Sequence, residues 1–287
     1  MGKSPGRLQV VATPIGNLAD LSTRAREALA SADLIAAEDT RHTLALLQAI
    51  GVSRPMVSLH TYNESRRVPE LLARLQSGET IVLVSDAGTP LLSDPGFELV
   101  RDAAQAGFEV VAVPGPSAIT TALAVAGLPT RQFCFEGFLP AREKERRAHL
   151  ARLAGETRTL VFFEAPHRIE EMLSDLASEF GADRQAVVAR ELTKAHETVY
   201  RGTVSELVVR AKDDPNFQRG EITVVVSGAP ASESTVDLQL LRRAVELLAK
   251  ELPPGKAASI AAQLTGATRS EAYALVTAGR PDREEQD

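Results

Sequence analysis

Ser85, Asp86, Thr89, Ser93 and Asp94 crowd one short stretch, Ser85-Asp-Ala-Gly-Thr-Pro-Leu-Leu-Ser-Asp-Pro-Gly96. Carboxylates among hydroxyls, with no cation between them, repel phosphate and suit ribose hydroxyls or an ammonium group. The residues just before, Ile81 to Val84, are apolar and mostly β-branched, so they read as a buried strand. A Gly- and Pro-shaped polar loop at the C-terminal end of such a strand is where open α/β sheets bind small ligands. Two loops of the same kind leave other strands. One is Val11-Ala-Thr-Pro-Ile-Gly-Asn17 after Leu8–Ala12, and the other is Val113-Pro-Gly-Pro-Ser-Ala118 after Glu109–Val113. Any one of them reads equally as an ordinary βα turn; all of them together describe a rim. The sequence has no G-x-G-x-x-G opening a helix and no G-x-x-x-x-G-K-[ST], so a dinucleotide or a nucleoside triphosphate fits poorly.

The elements that must position these loops alternate strand and helix through the first half. Ser22 reads as an N-cap, and Leu21, Ala25, Leu29 and Ala32 recur at helical spacing. A short strand, Leu34–Ala37, ends in Glu38-Asp-Thr-Arg-His42. Helices are expected over Thr43–Ile50, over Pro69–Gln76 with the proline at its start, and over Pro95–Ala106. This alternation predicts a mainly parallel sheet with helices on both faces.

A break follows Gly127-Leu-Pro-Thr130. Beyond it come Phe133-Cys-Phe-Glu-Gly-Phe-Leu-Pro140, a charged helix over Arg142–Leu153, a strand over Thr159–Phe163 ending in Glu164-Ala-Pro-His-Arg168, and a helix over Ile169–Phe180. Ala186–Ala189 reads as a strand ending in Arg190-Glu-Leu-Thr-Lys194. Thr198–Gly202 and Ile222–Val226 read as further strands of antiparallel character. Ala229-Pro-Ala-Ser-Glu-Ser234 is linker-like. A helix over Val236–Lys250, then helices over Lys256–Leu264 and Ser270–Thr277 around Thr265-Gly-Ala-Thr-Arg269, suit either a helix-turn-helix or a small helical cap. The tail Arg280–Asp287 is expected to be disordered. The fold class is α/β, with domains expected over residues 1–128 and 129–230 and a helical extension over 231–287.

Composition narrows the function. At 287 residues the chain has room for two domains, and no apolar run reaches the roughly 18 residues needed to cross a bilayer. Met1-Gly-Lys-Ser-Pro-Gly-Arg7 resembles neither a signal nor a transit peptide. A single cysteine, Cys134, rules out an internal disulfide and suits a reducing cytoplasm. No cysteine or histidine spacing suits a metal. A net charge of -6 argues against a protein that coats nucleic acid, and the lack of tryptophan argues against a broad base-stacking platform.

The chain resembles the tetrapyrrole methylase superfamily, and within it the rRNA branch. The residues that carry the resemblance are Ala12-Thr-Pro-Ile-Gly-Asn-Leu18, Ala37-Glu-Asp-Thr-Arg-His-Thr43, Ser85–Gly96, Pro114-Gly-Pro-Ser-Ala118, Phe135-Glu-Gly-Phe-Leu-Pro140, Phe163-Glu-Ala-Pro-His-Arg168 and Arg190-Glu-Leu-Thr-Lys194. The resemblance implies a two-domain tetrapyrrole-methylase-like fold with S-adenosylmethionine in the cleft between the halves. It also implies a homodimer and methylation of a cytidine ribose 2′-hydroxyl in small-subunit (16S) rRNA. The first loop departs from the more glycine-rich pattern of the tetrapyrrole enzymes, which puts a porphyrin substrate in doubt. By position in the family pattern, the cofactor is expected against Pro14, Asp86, Gly88, Thr89, Ser117 and Ala118 from the first half. Phe163, Leu192 and Thr193 are expected from the second, although Phe163 and Leu192 equally suit core packing.

Methyl transfer to a hydroxyl gains most from alignment and something from a base. Glu38 and Asp39 are candidates on the same rim, where two neighbouring, partly buried carboxylates raise one pKa. Arg41 and His42 suit a phosphate or the orientation of a carboxylate; a structural Glu38–Arg41 ion pair is the plain alternative. Glu164 with His167 and Arg168 forms a second cluster, and Lys194 is a third candidate, since a desolvated lysine can act as a base. Arg142, Lys144, Arg146, Arg147 and Arg152 crowd one helix that suits RNA phosphates, or else forms a solvated, salt-bridged face. Two rival functions stand beside the first. One is a tetrapyrrole C-methyltransferase; the other is a non-catalytic ribosome-assembly factor that only grips RNA.

Overall fold

Ile81 and its neighbours lie at the middle of a five-stranded parallel sheet in the computed structural model, which describes residues 6–230 and 238–278. Its elements are β1 (Arg7–Val11), α1 (Thr23–Ser31), β2 (Leu34–Ala37), α2 (Thr40–Ala49), β3 (Met56–Ser58), α3 (Glu64–Gln76), β4 (Thr80–Val84), α4 (Phe97–Gln105) and β5 (Glu109–Val113). The strand order is β3-β2-β4-β1-β5, and Ile81 is in register with Leu8 on one side and Leu34 on the other. Alternation along β4 divides the core. Val82 and Val84 pack with Leu29 and Leu47 of α1 and α2, whereas Ile81 and Leu83 pack with Leu71, Leu75 and Leu99 of α3 and α4. Strands buried on both faces explain the continuous apolar run.

The second half builds α5 (Ala118–Ala126), β6 (Phe133–Phe138), α6 (Glu143–Leu153), β7 (Thr159–Glu164), α7 (Ile169–Phe180), β8 (Gln185–Arg190), β9 (Thr198–Thr203), α8 (Val204–Asp213) and β10 (Ile222–Val226). The second sheet has the order β6-β7-β10-β8-β9. Its β6 and β7 pair in parallel; β9 and β10 flank β8, and each runs antiparallel to it. One face packs against α6, α7 and α8 through Phe162, Leu173 and Leu207. The other takes α5, whose Ile119, Ala122 and Leu123 meet Val161, Val187 and Val225. Thus α5 precedes residue 128 in sequence yet belongs to the core of the second sheet.

Several boundaries differ from the sequence expectation. The helix expected to open on Pro69 begins earlier, at Glu64, and carries the proline inside. One intrahelical hydrogen bond is lost at that point, while Val68, Leu71 and Leu75 remain buried. The β3 strand and the helices α5 and α8 were not anticipated. Ser22 caps α1 as expected, its side chain accepting the Ala25 N–H.

Both sheets belong to one compact unit ending at Ala229, and a second unit begins at Pro230. The second unit holds α9 (Leu238–Glu251), α10 (Pro254–Thr265) and α11 (Arg269–Ala278), with the turn after α10 made by Gly266 in the left-handed conformation. Its core is rich in alanine, with Ala257, Ala258, Ala261 and Ala272 packed around Leu241 and Val245. The expected start of the first of these helices at Val236, residues 231–234 of the linker-like segment, and the tail Arg280–Asp287 lie outside the described residues. Among the described residues, no helix is long and apolar enough to cross a membrane.

Candidate functional site

The three strand-end loops are tied into one rim. Thr13 N–H donates to the Gly88 carbonyl at 2.9 Å and Gly88 N–H donates back to Thr13 at 3.1 Å. The Thr89 hydroxyl reaches the Pro116 carbonyl at 3.1 Å, which links the second loop to the third. Bridges of this kind position backbone without secondary structure and hold the three loops together.

The rim borders a cavity of about 390 Å³. That volume lies within the roughly 300–1,000 Å³ of small-molecule sites. Ile15, Gly88, Thr89, Ser117 and Ala118 form one wall; Phe163, Ala189, Leu192 and Thr223 of the second sheet form the other. The acidic residues that line it are Asp94, Glu164 and Glu221, and no Lys, Arg or His among the described residues does so. Among the described residues, the non-glycine residues with positive φ are Leu91, Ser93, Glu191 and Thr193, and all of them flank this cavity. Strained backbone concentrated around one site is the mark of loops held for a ligand.

Six of the expected cofactor contacts line the cavity: Gly88, Thr89, Ser117, Ala118, Phe163 and Leu192. Phe163 and Leu192 also pack in the core beneath it, and the Phe163 ring stacks edge-on against Phe135 with centroids 4.9 Å apart. Both residues thus face the cavity while packing in the core. Pro14, Asp86 and Thr193 are not part of the lining. Asp86 turns instead toward β2, where it accepts the Asp39 N–H at 3.0 Å and faces His42 Nδ1 at 3.1 Å. Thr193, at φ 66°, gives its N–H to Glu197, while its buried hydroxyl has no partner. Sequence reasoning did not single out Ile15, Phe138 or Thr223. Each looks like ordinary core or strand until both sheets are in place.

The Glu38–Asp39–Arg41 group sits beside the cavity rather than in it. Asp39 caps α2 by accepting the Arg41 N–H at 2.8 Å, and its carboxylate is gripped by the Arg41 side chain. That hydrogen bond holds Asp39 well below the usual carboxylate range. Arg41 thus pairs with Asp39, not with Glu38 as the plain alternative supposed. Glu38 accepts the Asp86 N–H at 3.4 Å, and burial raises its pKa above the ordinary value. The hydrogen bond from His42 to Asp86 raises the His42 pKa.

Asp94 is different, because burial pushes it up to about 6. The charges of Glu38 and Asp86 add to the effect, and a hydrogen bond from Ser85 opposes it. Lys194 is not a neutral base. Burial acts to lower its pKa, but Glu191 at 2.8 Å and Glu221 at 3.3 Å outweigh this and keep the ammonium charged. The Glu164 side chain is fully buried, with Arg168 Nε at 3.4 Å.

The charged helix α6 divides the expected RNA contacts. Arg142, Lys144 and Arg147 are exposed. Arg142 pairs with Glu145 at 3.1 Å, and Arg147 with Glu179 at 2.9 Å. Arg146 departs from the expectation. It is only 2% exposed and binds Asp175 at 2.6 Å and Glu171 at 3.2 Å. A buried guanidinium whose charge is already met by two carboxylates is closed to a phosphate, so Arg146 is a structural residue.

Among the described residues no group of His, Cys, Asp and Glu could hold a metal ion. The parallel first sheet, the mixed second sheet and the cavity at the strand ends define a class. Residues 7–208 match the tetrapyrrole (corrin/porphyrin) methylases, and residues 235–280 match the RsmI C-terminal HTH domain. The chain therefore belongs to the tetrapyrrole methylase family.

Its similarity extends along nearly the whole length of particular relatives. Ribosomal RNA small subunit methyltransferase I of Xylella fastidiosa (strain Temecula1) is 53% identical over 270 residues, which cover 94% of this chain and 98% of that protein. The protein of the same name from Pseudomonas aeruginosa is 48% identical over 272 residues, covering 94% and 96%. Within the family, the chain thus falls in the ribosomal RNA small subunit methyltransferase I group. The fold itself is shared more widely. Uroporphyrin-III C-methyl transferase from Thermus thermophilus, solved with S-adenyl homocysteine, aligns with a TM-score of 0.55 at 19% identity, covering 77% of this chain and 97% of that one.

Proposed function

We propose that this protein is an S-adenosylmethionine-dependent methyltransferase that methylates the 2′-hydroxyl of a cytidine ribose in small-subunit (16S) rRNA. The observation that carries the reading is the charge of the cavity: Asp94, Glu164 and Glu221 line it, and no basic side chain among the described residues does. A phosphate-bearing cofactor would find no cation in that lining to meet its charge. S-adenosylmethionine has no phosphate, so a lining without basic side chains fits it. When bound, it supplies a methyl group already activated for in-line displacement.

The residues of this chain do the rest. Gly88, Thr89, Ser117 and Ala118 suit the adenosine and amino-acid parts, and Phe163 and Leu192 suit its apolar surface. Alignment of the incoming hydroxyl with the methyl group supplies most of the rate, since a fixed near-attack geometry replaces a bimolecular encounter. The exposed Arg142, Lys144 and Arg147 on α6 suit backbone phosphates of the RNA. The reacting nucleotide has to be unstacked for its ribose to reach the cavity. Residues 1–128 and 129–230 act as two lobes around the cofactor, with residues 231–287 as a helical extension. A homodimer in the cytoplasm completes the proposal.

The rival tetrapyrrole C-methyltransferase would have to accept a carboxylate-rich macrocycle in a cavity whose lining, among the described residues, offers it no cation. A factor that only grips RNA has no use for the cavity. Mapping ribose methylation in rRNA from cells lacking the protein tests the reading: one cytidine of the small subunit loses its 2′-O-methyl group. An unchanged map, or no heat on titration with S-adenosylmethionine, overturns it.

A further inference from the structure

We propose that Asp94 is the proton acceptor for the ribose hydroxyl that receives the methyl group, an inference that rests on the 2′-O-methyltransferase reading above. The acidic residues around the rim sort themselves by what they already hold. Asp39 is bound to Arg41, and Asp86 to His42 and the Asp39 N–H. Glu221 lies 3.3 Å from Lys194, and Glu164 is fully buried beside Arg168. Asp94 is half-buried, lines the cavity, and has only acidic side chains as charged neighbours. Glu38 accepts the Asp86 N–H and does not line the cavity, which leaves Asp94 as the carboxylate open to a ligand with no cation beside it.

Its position is fixed from both sides. Ser93, at φ 73°, stands in the left-handed region that side chains avoid. After Asp94, the N–H of Gly96 is held by Glu64 at 3.1 Å. The groups facing Asp94 are Ser85 at the end of β4, Glu38 at the end of β2, and Asp86. Glu164 and Glu221 line the same cavity from the second sheet. Its pKa of about 6 follows from that surrounding and is matched to a base working near neutral pH.

In the step, the hydroxyl O–H bond breaks and its proton passes to the Asp94 carboxylate as the new O–C bond forms. The electron pair of the broken S–C bond stays with sulfur, which leaves as a neutral thioether. No further reactant is needed.

Asp94→Asn preserves the size of the side chain and removes its basicity. The expected result is a single-turnover rate on small ribosomal subunits lowered about 100-fold. Calorimetric affinity for S-adenosylmethionine and for S-adenosylhomocysteine stays within about tenfold of the parent, that is, within 1.4 kcal/mol. In protein labelled at aspartate, carboxyl-carbon NMR shows a resonance titrating near pH 6 that is missing from the variant. A parental rate in Asp94→Asn overturns the proposal. So does a selective loss of affinity for S-adenosylmethionine over S-adenosylhomocysteine, which would make Asp94 the partner of the sulfonium charge. Should the variant not fold, the parent alone decides the matter: a rate that is flat between about pH 5 and pH 8 overturns the role, whereas an acid limb coinciding with the NMR titration supports it. Failure of the underlying reading is a separate result, since the parent would then transfer no methyl group to the subunit while Asp94 still titrated.

Discussion

Glu64 Oε1 lies 2.8 Å from the backbone nitrogen of Glu98, and the same oxygen accepts the N–H groups of Gly96 at 3.1 Å and Leu99 at 3.4 Å. A side chain from α3 thus caps the start of α4, where Gly96 has no side chain to offer. The open N–H groups of a helix start need acceptors, and a carboxylate at the positive end of the helix dipole is a favourable one. The contact also anchors the loop that carries Asp94. Glu64→Ala should lower stability by about 1–3 kcal/mol, because buried donors lose their acceptor. Glu64→Gln should lose less, since an amide oxygen can still accept. Urea unfolding followed by circular dichroism measures both, and a neutral alanine variant would show that the cap is dispensable.

The Asp94 carboxyl links stability to pH. Its pKa is about 6 in the folded protein, against an ordinary 3.8. The native state therefore binds this proton more tightly than the unfolded chain. The favourable contribution of the neutral acid is fully present below about pH 4 and is lost as pH rises through about 6. Asp94→Asn removes the penalty of the buried charge. It should be more stable than the parent by about 1–3 kcal/mol at pH 8, after allowance for the partial exposure of the site, and indistinguishable near pH 4. Parallel unfolding curves at both pH values check this; an equal difference at each would mean that Asp94 does not titrate in this window.

The strands of the first sheet were legible because burial on both faces leaves continuous apolar runs such as Ile81–Val84. The rim was legible because Gly88, Pro90 and Pro95 have few uses other than turns. What could not be read was anything set by packing between distant segments. Nothing in Arg146 itself distinguishes it from Arg147 one residue away; only the position of Asp175 on α7 decides which of them is buried. The α5 helix escaped because Ala118–Ala126 is apolar almost all round and shows no helical stripe. The α8 helix carried a readable sign, the capping box of Thr203 and Glu206, which the structure shows with both of its hydrogen bonds. Asp86 and Asp94 read alike in the sequence, as carboxylates suited to ribose hydroxyls; that Asp94 and not Asp86 lines the cavity depends on how the loop turns at Ser93.

Arg146 and Asp175 make a separate prediction. Their contact at 2.6 Å is buried, and Glu171 covers the other side of the guanidinium. Removing one partner of such a pair leaves an uncompensated buried charge, so Arg146→Ala should destabilise the protein by about 3–5 kcal/mol. It should leave the salt dependence of RNA binding unchanged. Neutralising the exposed Arg142 and Lys144 together should do the reverse, with little effect on stability and a shallower salt slope, by roughly one for each phosphate deprived of its cation. Filter binding across a salt series separates the two residue sets. A slope that responds to Arg146 but not to Arg142 and Lys144 would reverse their roles.

Gly16 ties the first loop to the segment after β8. A Cβ built at Gly16 would lie 2.3 Å from Lys194 Cγ and 2.9 Å from Lys194 Cε, so the lysine stem occupies the space that any side chain needs. The stem has little freedom to yield, because its ammonium is held by Glu191 at 2.8 Å and Glu221 at 3.3 Å. Glu221 lines the cavity, and so does Ile15 beside Gly16. Gly16→Ala should therefore cost about 1–3 kcal/mol of stability, as overpacking does, and weaken cofactor binding through the displaced loop. The double variant Gly16→Ala with Lys194→Ala removes the obstruction. If the close contact contributes, the two changes will be non-additive and the double variant will recover part of what Gly16→Ala loses, the remainder belonging to the backbone at φ 153°. Simple addition of the two effects would instead place the need for glycine in the backbone of the loop.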